Sequence, residues 1–247
     1  FTEANCQPAS NQWLRLMARN FTPHTQIVLG YSGYERGKGW LHKRISFNTL
    51  FTSLRYLGFA LAGKPYMGLG RNLAYRKELF FKQKGYSTHL NLQRGEDDLF
   101  INQIANTENT RVETNARAIM RMQPIERYKD WKEERVSYMA TARYYKGAQR
   151  YLLGFETCSR LLFYVACIAS IVFGIIHSHW LVAGIAFFIW LLRYTVQAIV
   201  INKTATDQEE NRHYYFSLLL FDLLQPLQTL QLKLYRLYRG KGDFMRR

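Results

Sequence analysis

Two long apolar runs interrupt an otherwise mixed pattern. Thr157 to Ile176 reads TCSRLLFYVACIASIVFGII, whose one charge, Arg160, lies near its start, and Trp180 to Ile201 reads WLVAGIAFFIWLLRYTVQAIVI. Each has about the 20 residues needed to cross a hydrocarbon core. The three residues joining them, His177-Ser178-His179, predict a transmembrane hairpin, because helices satisfy their own backbone in lipid. A buried helical hairpin in a soluble protein is the alternative, and Arg193 within the second run keeps it open; in a bilayer Arg193 is expected to snorkel to the interface. Beyond a polar connector from Lys203 to Asn211, the apolar run Phe216 to Leu224 is too short to span, and Pro226 is expected to break or kink a helix there. Leu227, Leu230, Leu234 and Leu237 then recur at helical steps between Lys233, Arg236 and Arg239, which predicts an interfacial amphipathic helix with a basic tail.

The first 150 residues alternate shorter patterns. Asn11 to Asn20 reads as a short helix, Gln26 to Ser32 (QIVLGYS) as a buried strand, and Lys43 to Ala62 as a long amphipathic helix. Tyr66 to Tyr75 (YMGLGRNLAY) reads as a strand with a bulge or a close backbone approach at Gly68 and Gly70. A helix over Asp97 to Asn106, a short strand over Arg117 to Met122 and a helix over Trp131 to Tyr151 complete the pattern, which is α/β. The opening FTEANC reads as the end of a buried strand delivering polar side chains into a loop, with the partner strands expected upstream of Phe1. Three segments follow: residues 1–152 as a soluble domain, 153–203 as the hairpin, and 204–247 as the interfacial helix and tail.

Charge sharpens this picture. A net charge of +16 and a pI near 9.9 call for an anionic partner: nucleic acid, lipid headgroups or a phosphate-bearing substrate. Arg143, Lys146, Arg150 and Arg160 precede the hairpin and Arg193, Lys203 and Arg212 follow, whereas its loop has no Lys or Arg, so both long ends are expected on the cytoplasmic side. Membrane lipids then absorb much of the basic excess, and nucleic acid is not needed to explain it. The three cysteines, Cys6, Cys158 and Cys167, form no CxxC pair, which argues against a structural zinc site. His24, His42, His89 and His213 are scattered without ligand spacing.

Three stretches carry candidate chemistry. In GEDDLF, the carboxylates Glu96, Asp97 and Asp98 follow Gly95 and open a helical pattern; adjacent carboxylates repel, so they suit proton transfer or a cation, and they also complement a helix dipole. Glu3 and Asn5 set two oxygen-bearing side chains two residues apart at a strand end, a donor type that a hard divalent cation prefers. In GLGRNLAYRK, Gly68 and Gly70 admit a close backbone, and Arg71 and Asn72 offer donors to a sugar or phosphate.

Taken in order, these stretches, the Trp-led helix and the membrane helices resemble the C-terminal half of a membrane-anchored family-2 glycosyltransferase with the GT-A fold. TEANC (Thr2 to Cys6) sits where that family reads TDADC, GEDDLF sits at its base motif, and Met67 to Phe81 matches its intervening strand and helix. The resemblance implies a partial GT-A-like mixed sheet lacking the N-terminal nucleotide-binding half. It also implies inverting transfer from a nucleotide-sugar donor to a lipid-linked or glycan acceptor at the inner membrane, for cell-envelope glycan synthesis. Asp97 would be the base, with Asp98 as alternate and Glu96 orienting. Glu3 and Asn5 would touch Mg²⁺ or Mn²⁺ and the donor diphosphate, and Arg71 and Asn72 would line the cleft. Processive members carry Gln-x-x-Arg-Trp before the membrane helices; Glu134-Arg135-Val136-Ser137-Tyr138 lacks its Arg and Trp, which argues against a processive polymerase. A degenerate, non-catalytic membrane scaffold is the rival expectation.

Overall fold

The computed structural model describes residues 1–88, 90–92, 94–208 and 212–239; His89, part of the polar connector and the basic tail beyond Arg239 lie outside the described residues. The fold is mixed α/β and 60% helical, with two small mixed sheets. The run IVLG forms β2 (Ile27–Gly30), every residue of which is buried, as expected for a strand covered on both faces. It pairs antiparallel with β4 (Leu73–Tyr75) and parallel with β5 (Thr110–Glu113). After Tyr31 the chain bends into β3 (Ser32–Tyr34), which joins a second sheet with β6 (Met120–Met122) and β1 (Cys6–Pro8). The strand expected over Gln26–Ser32 is therefore shared between two sheets. That bend brings both sheets to one set of loops.

Helices pack around this junction. α1 (Trp13–Ala18) and α2 (Trp40–Leu61) lie where the periodicity predicts helices. Phe47, Leu50 and Tyr56 of α2 meet Ile27, Leu29, Leu73, Phe100 and Ile101 in the main core. α3 (Lys77–Lys82) follows β4, and α4 (Asp98–Ile104) begins at the acidic stretch. Only the end of the expected Tyr66–Tyr75 strand is extended, because the Gly68–Asn72 segment turns in a loop against the core. A Cβ on Gly68 would lie 3.0 Å from Leu29 Cδ2 and 3.2 Å from Ile101 Cγ1, so that close approach suits glycine. Phe1, expected to end a strand, exchanges backbone bonds with Leu73 on the outer edge of β4, and Glu3–Asn5 turns before β1.

The helix expected over Trp131–Tyr151 is broken. α5 (Tyr128–Thr141) ends in a 3₁₀ turn over Ala142–Tyr144, and α6 (Gln149–Ile176) starts afresh after Gly147, whose φ of +88° no helix accommodates. α7 (Trp180–Asp207) completes a hairpin of two 28-residue helices. Each is about 42 Å long, more than a ~30 Å hydrocarbon core requires. Both are long and apolar enough to span a membrane, and only 17% and 11% of their apolar windows is buried, unlike the core helix of a soluble protein. The expected polar connector is helical through Asp207, because Ile201 and Ala205 are buried in the core and Asn202 Oδ1 accepts from the Tyr214 amide at 2.7 Å.

α8 (Tyr215–Tyr238) runs through Pro226 without the expected break. Side chains in the turn before the proline are anchored: Asp222 bonds Arg160 Nη1 at 2.8 Å and Arg193 Nη2 at 3.0 Å, and Gln225 also accepts from Arg160. Arg193 thus does not snorkel; it pairs with a carboxylate that is 2% exposed. The predicted stripe of Leu227, Leu230, Leu234 and Leu237 is uncovered. Its basic partners are less free. Arg236 donates to the Met139 carbonyl of α5, and Arg239 pairs with Glu133.

Candidate active site

The Gly70-Arg71 peptide is the point where the candidate residues converge. Gly70 N–H donates to Asp97 Oδ2 at 2.9 Å, and Arg71 Nε donates to Glu3 Oε2 at 3.2 Å, so Glu3 and Asp97 flank two consecutive residues. Asp97 caps α4: its Oδ1 accepts from the Asp98 amide at 2.7 Å. Burial raises its proton affinity and Glu96's charge adds to this, against the bonds from Gly70 and Asp98. Glu96 is exposed beside it.

Asp98 has a different environment. It is fully buried, with Oδ1 accepting from the Leu99 amide and Oδ2 from the Tyr145 hydroxyl at 2.8 Å and the Thr141 hydroxyl. Burial, with Asp97's charge second, pushes its carboxyl up to about 7 despite those donors. The two carboxyls are neighbours whose titrations are linked, and burial raises the proton affinity of both. Asp98 ties α4 to the end of α5, while Asp97 faces the Gly70-Arg71 loop.

Arg71 is 6% exposed and is gripped from both sides, by Glu3 and by Glu134 Oε1 at 2.5 Å. Burial works against its charge, but Tyr138, Glu134, Tyr34 and Glu3 outweigh that and keep it cationic. Asn72, expected to line the cleft, is turned into the fold. Its Nδ2 donates to the Tyr31 and Ala118 carbonyls at 2.7 and 2.8 Å, and its Oδ1 accepts from Trp13 Nε1 at 3.0 Å. It holds the sheet junction together, and those bonds leave its amide no donor for a ligand.

Glu3 and Asn5 do not form a cation site as they stand. Glu3 faces the Arg71 guanidinium, whose charge takes the place a metal would fill, and Asn5 is exposed with its amide oxygen 3.6 Å from Cys6 Sγ. No group of three His, Cys, Asp or Glu suited to a metal occurs among the described residues. This donor set does not fit Mg²⁺ or Mn²⁺.

Beside Arg71 opens a cavity of about 150 Å³ walled by α2 and α5, with Tyr34, Arg55, Trp131, Glu134, Arg135 and Tyr138 among its lining. Glu134–Tyr138 departs from the Gln-x-x-Arg-Trp pattern, so that motif does not point to these α5 residues. A physical signal was present: Trp131, Glu134, Arg135 and Tyr138 recur at three- and four-residue steps, placing charge on the same helix face as a core tryptophan. Such a helix turns its ionic groups inward. Comparison with family models, with curated proteins and with solved structures finds no match for this chain.

Proposed function

We propose that the protein is an inverting glycosyltransferase working at the cytoplasmic face of the inner membrane, with a GT-A-like catalytic domain moored by the α6–α7 hairpin. One observation carries the reading: Asp97, a buried carboxyl of raised proton affinity at a helix start, accepts from the Gly70 amide of a Gly-Arg loop whose Arg71 lines an aromatic and ionic cavity. The order of TEANC, GLGRNLAYRK and GEDDLF, which resembles family-2 glycosyltransferases, supports it. In this reading the acceptor hydroxyl oxygen attacks the anomeric carbon of a nucleotide-sugar while Asp97 takes its proton and the nucleoside diphosphate departs with the bonding electrons. A raised proton affinity suits a base that works near neutral pH. Arg71 and Glu3 position the loop, and Glu96 lies where it can orient the acceptor.

The test is transfer from labelled nucleotide-sugars in membranes containing the natural protein. Asp97→Asn should lower transfer by about 10²–10⁴-fold, the usual contribution of a general base, while nucleotide-sugar binding changes little. Transfer by Asp97→Asn at the wild-type rate removes Asp97 from the role. Binding without transfer in the wild type favours the non-catalytic scaffold, a reading favoured by Glu3 being held by Arg71.

A further inference from the structure

The cavity beside Arg71 does not end at α5. A second space of about 220 Å³ shares the wall made by Arg55, Arg135, Met139, Tyr145 and Leu153, and continues between α6 and α8 past Gly154, Thr157, Gln228 and Lys233. Together they have room for about a dozen waters at roughly 30 Å³ each. The far end reaches α6 where its membrane-spanning stretch, Tyr151–Ile176, begins.

The lining is unbalanced in charge and in hydrogen bonding. Of the lining cations, Arg71 is held by Glu134 and Glu3 and Arg55 by Glu156 at 3.2 Å, whereas Arg135 and Lys233 have no ion pair among the described residues. Three lining groups, Arg135 Nε, Tyr138 Oη and Gln228 Nε2, are sealed from solvent without a hydrogen-bond partner among the described residues. All three are donors. A buried donor left unmade costs about 1–3 kcal/mol, and three along one passage call for an acceptor-rich occupant. The guanidinium of Arg135 lies beside the Arg55 cation, and burial works against its charge, so an anion between them would relieve both effects. A tetrahedral oxyanion supplies the missing acceptors, and the passage leads to the bilayer.

We infer that this passage is a binding site for a phosphate ester, held by Arg55, Arg135 and Gln228, whose organic part extends between α6 and α8 toward the membrane. The inference rests on the hairpin lying in a bilayer and is independent of sugar transfer, so it stands or falls separately from Asp97. A lipid phosphate headgroup and a free phosphate share this chemistry, and two probes separate them. The protein in phosphatidylcholine nanodiscs is titrated with phosphatidic acid in one arm and with inorganic diphosphate in the other, with bound phosphorus read by ³¹P NMR and native mass spectrometry. Wild type should retain one equivalent. Arg135→Met and Gln228→Leu should each weaken retention about tenfold, the equivalent of about 1.4 kcal/mol. Arg135→Lys should recover part of it.

Lys203→Met removes one exposed charge of α7 outside the passage and should change nothing. Unchanged thermal unfolding of Gln228→Leu keeps the comparison valid should an arginine variant fold poorly. Arg135-dependent retention of phosphatidic acid supports the site, and Arg135-dependent binding of diphosphate with none of phosphatidic acid overturns the organic part of the inference. Overturning results are equal weakening by Lys203→Met, which means general surface attraction, and retention that neither Arg135→Met nor Gln228→Leu affects.

Discussion

Asp98 gives the structure its sharpest energetic test. Its carboxyl is fully buried and pushed from 3.8 to about 7, so the folded protein holds a proton that the unfolded chain has released. Between those values fewer protons are bound in the unfolded state than in the native one, so stability falls as pH rises. It is unaffected below about 4 and fully reduced above about 7. At about 1.36 kcal/mol per pH unit, the difference sets a loss of about 4 kcal/mol.

Asp98→Asn removes the titration and keeps the shape. The amide still accepts one bond, but Tyr145 or Thr141 loses an acceptor, a fixed penalty of about 1–3 kcal/mol at every pH. The variant is therefore less stable than wild type near pH 4.5, gains on it up to about pH 7 and holds that gain at pH 8. For a chain of this size, about 4 kcal/mol corresponds to a relative change of about 8–16 °C in the unfolding midpoint. Asp97 is present in both proteins but is linked to Asp98, so the difference between their profiles reports the loss of the buried pair's shared titration. Thermal unfolding in detergent, followed by tryptophan fluorescence across that range, measures it. Parallel profiles, with a constant gap between the two proteins, would refute the claim that Asp98 is protonated because it is buried.

Two further substitutions probe the scaffold. Asp222→Leu leaves the Arg160 and Arg193 guanidinia without their shared carboxylate and should destabilise by about 3–5 kcal/mol, with α8 becoming protease-sensitive; a loss under about 1 kcal/mol in unfolding experiments contradicts this. Gly30→Ala places a Cβ 2.4 Å from Asn72 Nδ2, and because Asn72 is fixed by three hydrogen bonds it cannot withdraw. The expected loss is about 1–3 kcal/mol in denaturant unfolding, and wild-type stability would show that Asn72 is mobile.

The apolar periodicity made the hairpin and the exposed stripe of α8 legible, because long exposed apolar surfaces on helices are written in residues close in sequence. The acidic stretch was legible too, as the start of α4. What the pattern did not disclose depends on long-range pairing. Tyr31 bends one apolar run into two sheets only because β6 and β4 come from far along the chain to meet its halves. The α5–α6 break depends on Thr141 and Tyr145 reaching Asp98, more than forty residues earlier. Asn72 looked like a ligand-binding residue, since nothing local reveals that Trp13, Tyr31 and Ala118 satisfy its amide. Pro226 was read by its local rule, and tertiary ion pairs overrode it.

The fate of the basic residues changes what the net charge of +16 means. Arg71 holds Glu3 and Glu134, Arg160 and Arg193 hold Asp222, and Arg236 and Arg239 hold α5. These arginines join elements and are not a lipid-facing surface. They also form a chain: Asp222 fixes α8 to the hairpin, and Glu133 accepts from Tyr235 at 2.8 Å to fix α8 to α5. Glu134 of α5 then fixes Arg71, next to the glycine that bonds Asp97. A bilayer around the hairpin would thus set the height and tilt of the Asp97 carboxylate through successive polar contacts, each far shorter than the distance spanned. If the protein is the transferase proposed above, positions along that chain, and not only those beside the carboxylates, would determine how a membrane-held acceptor meets Asp97.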